Sequence, residues 1–263
     1  MIYVITHKSF DDSIIDIDHY RILHVGNNLD SKSSYLRDDC GDNISFKNEN
    51  YCELTGLYWI WKNGKEEKND ITGLVHYRRF FTTVIQDLEY TYFNKKMPAM
   101  LDYSVIEKYC REDTIILPKR YKIYRTVREF YGDMHYGEDL DLAGEVIQEC
   151  FPEYLSSFQK VMNSHYYYYG NMILCKKGIL DSYSEWLFVI LNRLEEKIDI
   201  NKYSDTYQKR VYGFLTERLL QVWVYHGGYK IKEFPVFNTE EKRMNFFEIN
   251  GNRVRKLLTG KRK

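Results

Sequence analysis

The run DITGLVHYRRFF, residues 70–81, constrains the chain more than any other stretch. Asp70 to Val75 is a short apolar segment with Ile, Thr and Val, the pattern of a strand buried on both faces. It passes without a break into His76, Tyr77, Arg78 and Arg79. In an open α/β sheet, ligands sit beyond the carboxyl ends of the strands, so these four polar residues are expected to face a crevice. Adjacent arginines offer forked donors suited to phosphate oxygens. Alternatively, one arginine pairs within the fold and the other is solvated.

The flanking segments supply the rest of such a sheet. Ile2 to Thr6 and Arg21 to Val25 read as the first two strands. NENYCELTGLYWIWKN spaces Tyr51, Leu54, Tyr58 and Trp61 as one face of a helix of about three turns, with Asn50 and Glu53 in capping-box positions. Strand, helix, strand in succession implies an α/β fold. Further strands are expected at Thr114 to Leu117 and Met172 to Cys175, and helices at Glu138 to Cys150, Ile179 to Ile198 and around Val211 to Tyr225. Lys230 to Val236 is expected as an edge or lid strand, because Pro235 lacks a ladder donor. The expected plan is one domain over residues 1–251, with an α/β part (1–120), a mainly helical part (121–251) and a basic tail (252–263).

Composition narrows the function classes. The 38 basic and 38 acidic residues cancel, which argues against the broad positive field of a nucleic-acid binder. Cys40, Cys52, Cys110, Cys150 and Cys175 are odd in number and form no Cys-x-x-Cys pair. They fit reduced thiols in a cytosol better than a disulfide framework or a zinc site. MIYVITHKSF lacks the features of a signal peptide, and no apolar run reaches the roughly 18 to 20 residues of a membrane span. The 25 tyrosines suit sugar and nucleotide contacts, and they suit core packing equally well.

The ordered set MIYVITHK, ILHVG, NISFKNENYCELTGLYWIWKN, DITGLVHYRRFF, ILPKR, HYGEDLDLAGEVI, GNMILCKK, YSEWLF and YGFLTERLLQVWV resembles a glycosyltransferase family long catalogued as a domain of unknown function. The family occurs in capsular and exopolysaccharide loci and includes β-galactofuranosyltransferases. The resemblance implies a glycosyltransferase-A-like nucleotide-sugar-binding sheet flanked by helices, with a helical C-terminal half. It also implies inverting transfer from a nucleotide sugar, UDP-galactofuranose first, to a lipid-linked glycan. Many such enzymes hold a divalent metal with a strand-end Asp-x-Asp, where this chain has HYRR. The triplet Asp139, Leu140, Asp141 falls at an expected helix start, so no metal ligands are assigned and no cofactor is expected; a divalent metal is not expected to be essential, because the two arginines can replace its charge on the leaving diphosphate.

An inverting transfer needs a carboxylate base. The candidates are Asp139, then Glu217, with Glu138 beside the first; helix capping and an ion pair with Arg218 or Arg210 are the competing roles. For the donor, Thr6, His7, Val25 and Gly26 follow the first two strands, Asp42, Asn43, Ser45 and Asn48 precede the helix, and His76 to Arg79 complete the set. Loop Asn and Ser side chains also satisfy their own backbone. His135 and Asn171 are candidates for sugar or acceptor contact. The tail carries six basic residues with Val254, Leu257 and Leu258 among them, a pattern suited to peripheral contact with an anionic membrane. A non-catalytic carbohydrate-binding or scaffold protein is the alternative reading; it predicts acceptor binding with no turnover.

Overall fold

The computed structural model describes residues 1–27, 34–84 and 98–240. The tail at 252–263, and with it the expected membrane contact, lies outside the described residues. Strand β1 (Ile2–Thr6) has β2 (Tyr20–His24) parallel on one side and β4 (Ile71–His76) parallel on the other, and β3 (Leu36–Arg37) extends the sheet beyond β2. On the far side of β4 lies β9 (Ile173–Lys176), antiparallel to it. Next come β6 (Thr114–Pro118) and, at the edge, β10 (Lys230–Phe234), parallel to β6. A short ribbon of β5 (Arg79–Phe81) and β11 (Val236–Asn238) joins the end of β4. A separate pair is formed by β7 (Tyr121–Lys122) and β8 (Tyr166–Tyr167).

Alternation explains why this sheet is covered on both faces. Tyr3 and Ile5 join one core, and Ile2 and Val4 the other. Ile115 and Leu117 oppose Ile116, and Ile173 and Cys175 oppose Leu174, in the same way. The larger core takes α2 (Leu54–Asn63), α5 (Gly137–Cys150), α7 (Lys177–Lys197) and α8 (Val211–Gly227). The opposite face takes α3 (Tyr103–Tyr109) through Ile106. Two short helices, α4 (Val127–Met134) and α6 (Leu155–Met162), pack with the first group. Among the described residues no helix is long and apolar enough to cross a membrane.

The segment expected as one helix from Asn48 is two. Helix α1 (Asn48–Tyr51) stops at Cys52, whose backbone sits at φ 54 and ψ −128. Glu53 then leads into α2. A non-glycine residue in such a conformation costs roughly 1–3 kcal/mol. Burying Leu54, Leu57 and Ile60 contributes about 2 kcal/mol each, so the packed face of α2 outweighs the strain. The capping-box expectation fails for the same reason: Asn50 donates to Lys209 O (2.9 Å), and Glu53 accepts from Asn171 Nδ2. The strand expected over Lys230 to Val236 divides at Pro235, which has no N–H to continue the β10 ladder. Its carbonyl accepts from Thr82 N–H (2.9 Å), and the chain re-pairs on β5.

Candidate active site

Because β1, β2 and β4 run parallel, their carboxyl ends share one edge, with Ile5 level with His76. A crevice of about 410 Å³ opens there. Its floor is made by Thr6, His7, Val25 and the His76–Arg79 segment. One wall comes from α8 through Gly213, Phe214 and Glu217, with Arg210 just before it, and Asn48, Glu49, Cys52 and Glu53 close another. His135 and Tyr169 complete the rim.

The charges in this crevice are unevenly matched. Arg78 is paired with Glu240 (3.2 Å), which also holds Lys8 (3.0 Å). Arg79 donates to the Tyr169 hydroxyl (2.8 Å) and lies 4.6 Å from that ring's centre. Arg210 donates from Nε to Cys52 Sγ (3.0 Å), and among the described residues no carboxylate lies within ion-pair range of it. A thiol is a weak acceptor, and burial pushes the Cys52 thiol up to about 12, so it offers no negative charge. Arg79 and Arg210 therefore present positive charge that an anion in the crevice would meet.

Glu217 is the acid of the α8 wall. Its Oε1 accepts from Gly170 N–H (3.0 Å) and its Oε2 from Arg218 Nη1 (2.8 Å). Burial raises its carboxyl to about 7, against the opposing pull of Arg218. Such a group exchanges its proton near neutral pH. Arg218 is locked behind it, 1% exposed, donating to Phe214 O and lying over Tyr131 and Tyr167. Burial lowers the proton affinity of three imidazoles, His7, His76 and His135, the last to about 4. His135 stacks on Phe214 (4.0 Å) and pairs with Gln208 (3.1 Å). His76 Nε2 is buried without a hydrogen-bond partner among the described residues.

Other sequence candidates lie outside the crevice lining. Asp139 is buried in the first turn of α5, where Lys202 Nζ (2.6 Å) and the Tyr203 hydroxyl (2.7 Å) both donate to it. Glu138 pairs with the same lysine (2.8 Å), and Asp141 with Arg128. These contacts hold α5 against its neighbours, and all three carboxylates already have partners outside the crevice lining. Among the described residues no group of three or more His, Cys, Asp or Glu side chains could hold a metal. Asn43 accepts from Ser45 N–H (3.2 Å) and hydroxyl (3.0 Å) within their own loop, and Asp42 accepts from the Tyr58 hydroxyl on α2 (3.1 Å). Gly26 acts through shape: at φ +77, a Cβ would lie 2.6 Å from Asn48 Oδ1, so only glycine lets Asn48 reach the crevice. Asn171 sits behind the wall and orients Glu53, donating to its Oε1 and to Gly213 O (3.2 Å).

Residues 1–228 match the family described as a domain of unknown function, DUF4422. The chain belongs to the DUF4422 family. This DUF4422 chain is similar to the apo structure of the WbbM bifunctional glycosyltransferase, with 29% identity and a TM-score of 0.77. The match covers 91% of this chain and 45% of that one, so the chain spans under half the length of WbbM. No curated protein matches it. The mixed sheet flanked by helices that the sequence implied is thus the architecture of a glycosyltransferase structure.

Proposed function

We propose that this DUF4422 chain is an inverting glycosyltransferase. In this reading the crevice takes a nucleoside-diphosphate sugar, and Glu217 is the base. One observation carries it: a carboxyl poised near neutrality faces the same crevice as two guanidinium groups that have no carboxylate partner among the described residues. The likeness to WbbM supports the class of reaction.

Glu217 would take the proton of an acceptor hydroxyl as that oxygen bonds to the sugar's anomeric carbon. The bond from that carbon to the diphosphate oxygen breaks, and the leaving diphosphate gains charge beside Arg79 and Arg210, which stabilise it. Thr6, His7, Val25 and Asn48 border the space for the nucleoside. UDP-galactofuranose is the first donor to test, a lipid-linked glycan the first acceptor, and the basic tail would keep the enzyme near an anionic membrane.

The test is a screen of sugar nucleotides with the purified chain, before and after exhaustive chelation, followed by anomeric analysis of the product. Inverted product with wild type, and none with Glu217→Gln at unchanged donor affinity, is the expected result. Retained configuration would sink the mechanism. Normal transfer by Glu217→Gln with none by Glu53→Gln would move the base to Glu53, the neighbouring crevice carboxylate.

A further inference from the structure

A second cavity, of about 630 Å³, opens beside the crevice and shares Arg79 and Tyr169 with it. It lies between Lys119 and Arg120 after β6, with β7 (Tyr121–Lys122), on one side and the start of β11 on the other. Four of its lining side chains are cationic, and among the described residues none of them is acidic. Arg120 is balanced from outside by Glu233 (3.3 Å) and Arg79 leans on Tyr169, while Lys119 and Lys122 have no carboxylate within 4.0 Å among the described residues. Tyr121 and Tyr169 meet edge to face, their centres 6.4 Å apart, and present flat faces of the kind sugar rings stack on.

The shared wall is also next to the proposed base, because Gly170, the residue after Tyr169, is the one that donates to Glu217. A chain lying across Tyr169 would put one end in the crevice and the other among the lysines. We propose that this groove is the acceptor site and that its cations hold an oxyanion of the acceptor, carried as a pyrophosphate link or as a uronate on the glycan. The inference rests on the transferase reading and adds to it where the acceptor lies and what charge it bears.

The experiment is titration calorimetry of the full chain with three probes: a disaccharide alkyl pyrophosphate diester, the same disaccharide bearing a uronate, and its neutral alkyl glycoside. The Lys119→Ala/Lys122→Ala variant should lose about tenfold in affinity for one charged probe and almost none for the neutral glycoside. The probe that weakens tells a pyrophosphate from a uronate. Lys122→Ala alone should show a smaller loss of the same kind, and thermal melting checks that both variants fold. The proposal is overturned by equal affinities of wild type and double variant for both charged probes, by an equal loss on the neutral one, or by wild type binding neither charged probe. Transfer is assayed separately. Charge-dependent binding with no transfer from any sugar nucleotide sinks the transferase reading and keeps the anion groove, and transfer with charge-independent binding does the reverse.

Discussion

The backbone N–H of Gly170 donates to Glu217 Oε1 across 3.0 Å, fixing the orientation of a carboxyl that burial has raised to about 7. The group's ordinary value is 4.5. Between these two values the folded protein holds a proton that the unfolded chain has released, so this group's contribution to stability falls as pH rises through the window. The span corresponds to at most about 3 kcal/mol. Wild type should lose stability relative to Glu217→Gln between about pH 4.5 and about pH 7, measured by urea unfolding, and the transfer rate should rise with a midpoint near 7. A constant stability difference across that range would refute the assigned ionisation.

The arginines should separate by their partners. Arg78 already has Glu240, whereas among the described residues Arg79 and Arg210 have no carboxylate partner, so an incoming diphosphate gains most from the latter two. Arg79→Ala and Arg210→Ala should each weaken UDP binding about tenfold or more, and Arg78→Ala by less than about threefold. Calorimetric titration with UDP decides it, and equal losses for all three would remove the distinction.

Asp139→Asn should act on stability. The substitution removes a charge that faces Lys202 in a site where the side chain is 2% exposed, at a cost of about 3 kcal/mol. Transfer by the folded fraction should stay within about threefold of wild type. Abolished transfer with unchanged unfolding would return Asp139 to the reaction.

Gly73→Ala should be among the most damaging small changes. Gly73 sits at φ +145 in β4, and a Cβ there would lie 1.9 Å from Ile173 O on β9. A loss above about 3 kcal/mol is expected by chemical denaturation. Gly170→Ala, also at positive φ but with open space around a Cβ, should cost only about 1 kcal/mol.

Short apolar runs rich in β-branched residues placed β1, β2, β4, β6 and β9, and amphipathic helical spacing placed α5, α7 and α8, without any structure. The short α4 was also legible, since Thr126 and Glu129 form a capping box, yet it was not read. The crevice floor at His76 to Arg79 followed from one local rule about strand ends.

The remaining site residues depended on contacts between distant parts of the chain. Arg210 meets Cys52 across 158 positions, and Asn171 meets Glu53 across 118. Glu53 looked like a helix cap because nothing local reveals that Cys52 breaks the helix. In the sequence Asp139, at an expected helix start, ranks ahead of Glu217, within an expected helix, and nothing local shows which carboxylate lines the crevice. Sequence alone placed the central strands, the long helices and the basic strand end, since those show in the local order of residues. Only the tertiary structure decided which carboxylate faces the crevice, because desolvation and ion pairing are set by neighbours that folding brings together.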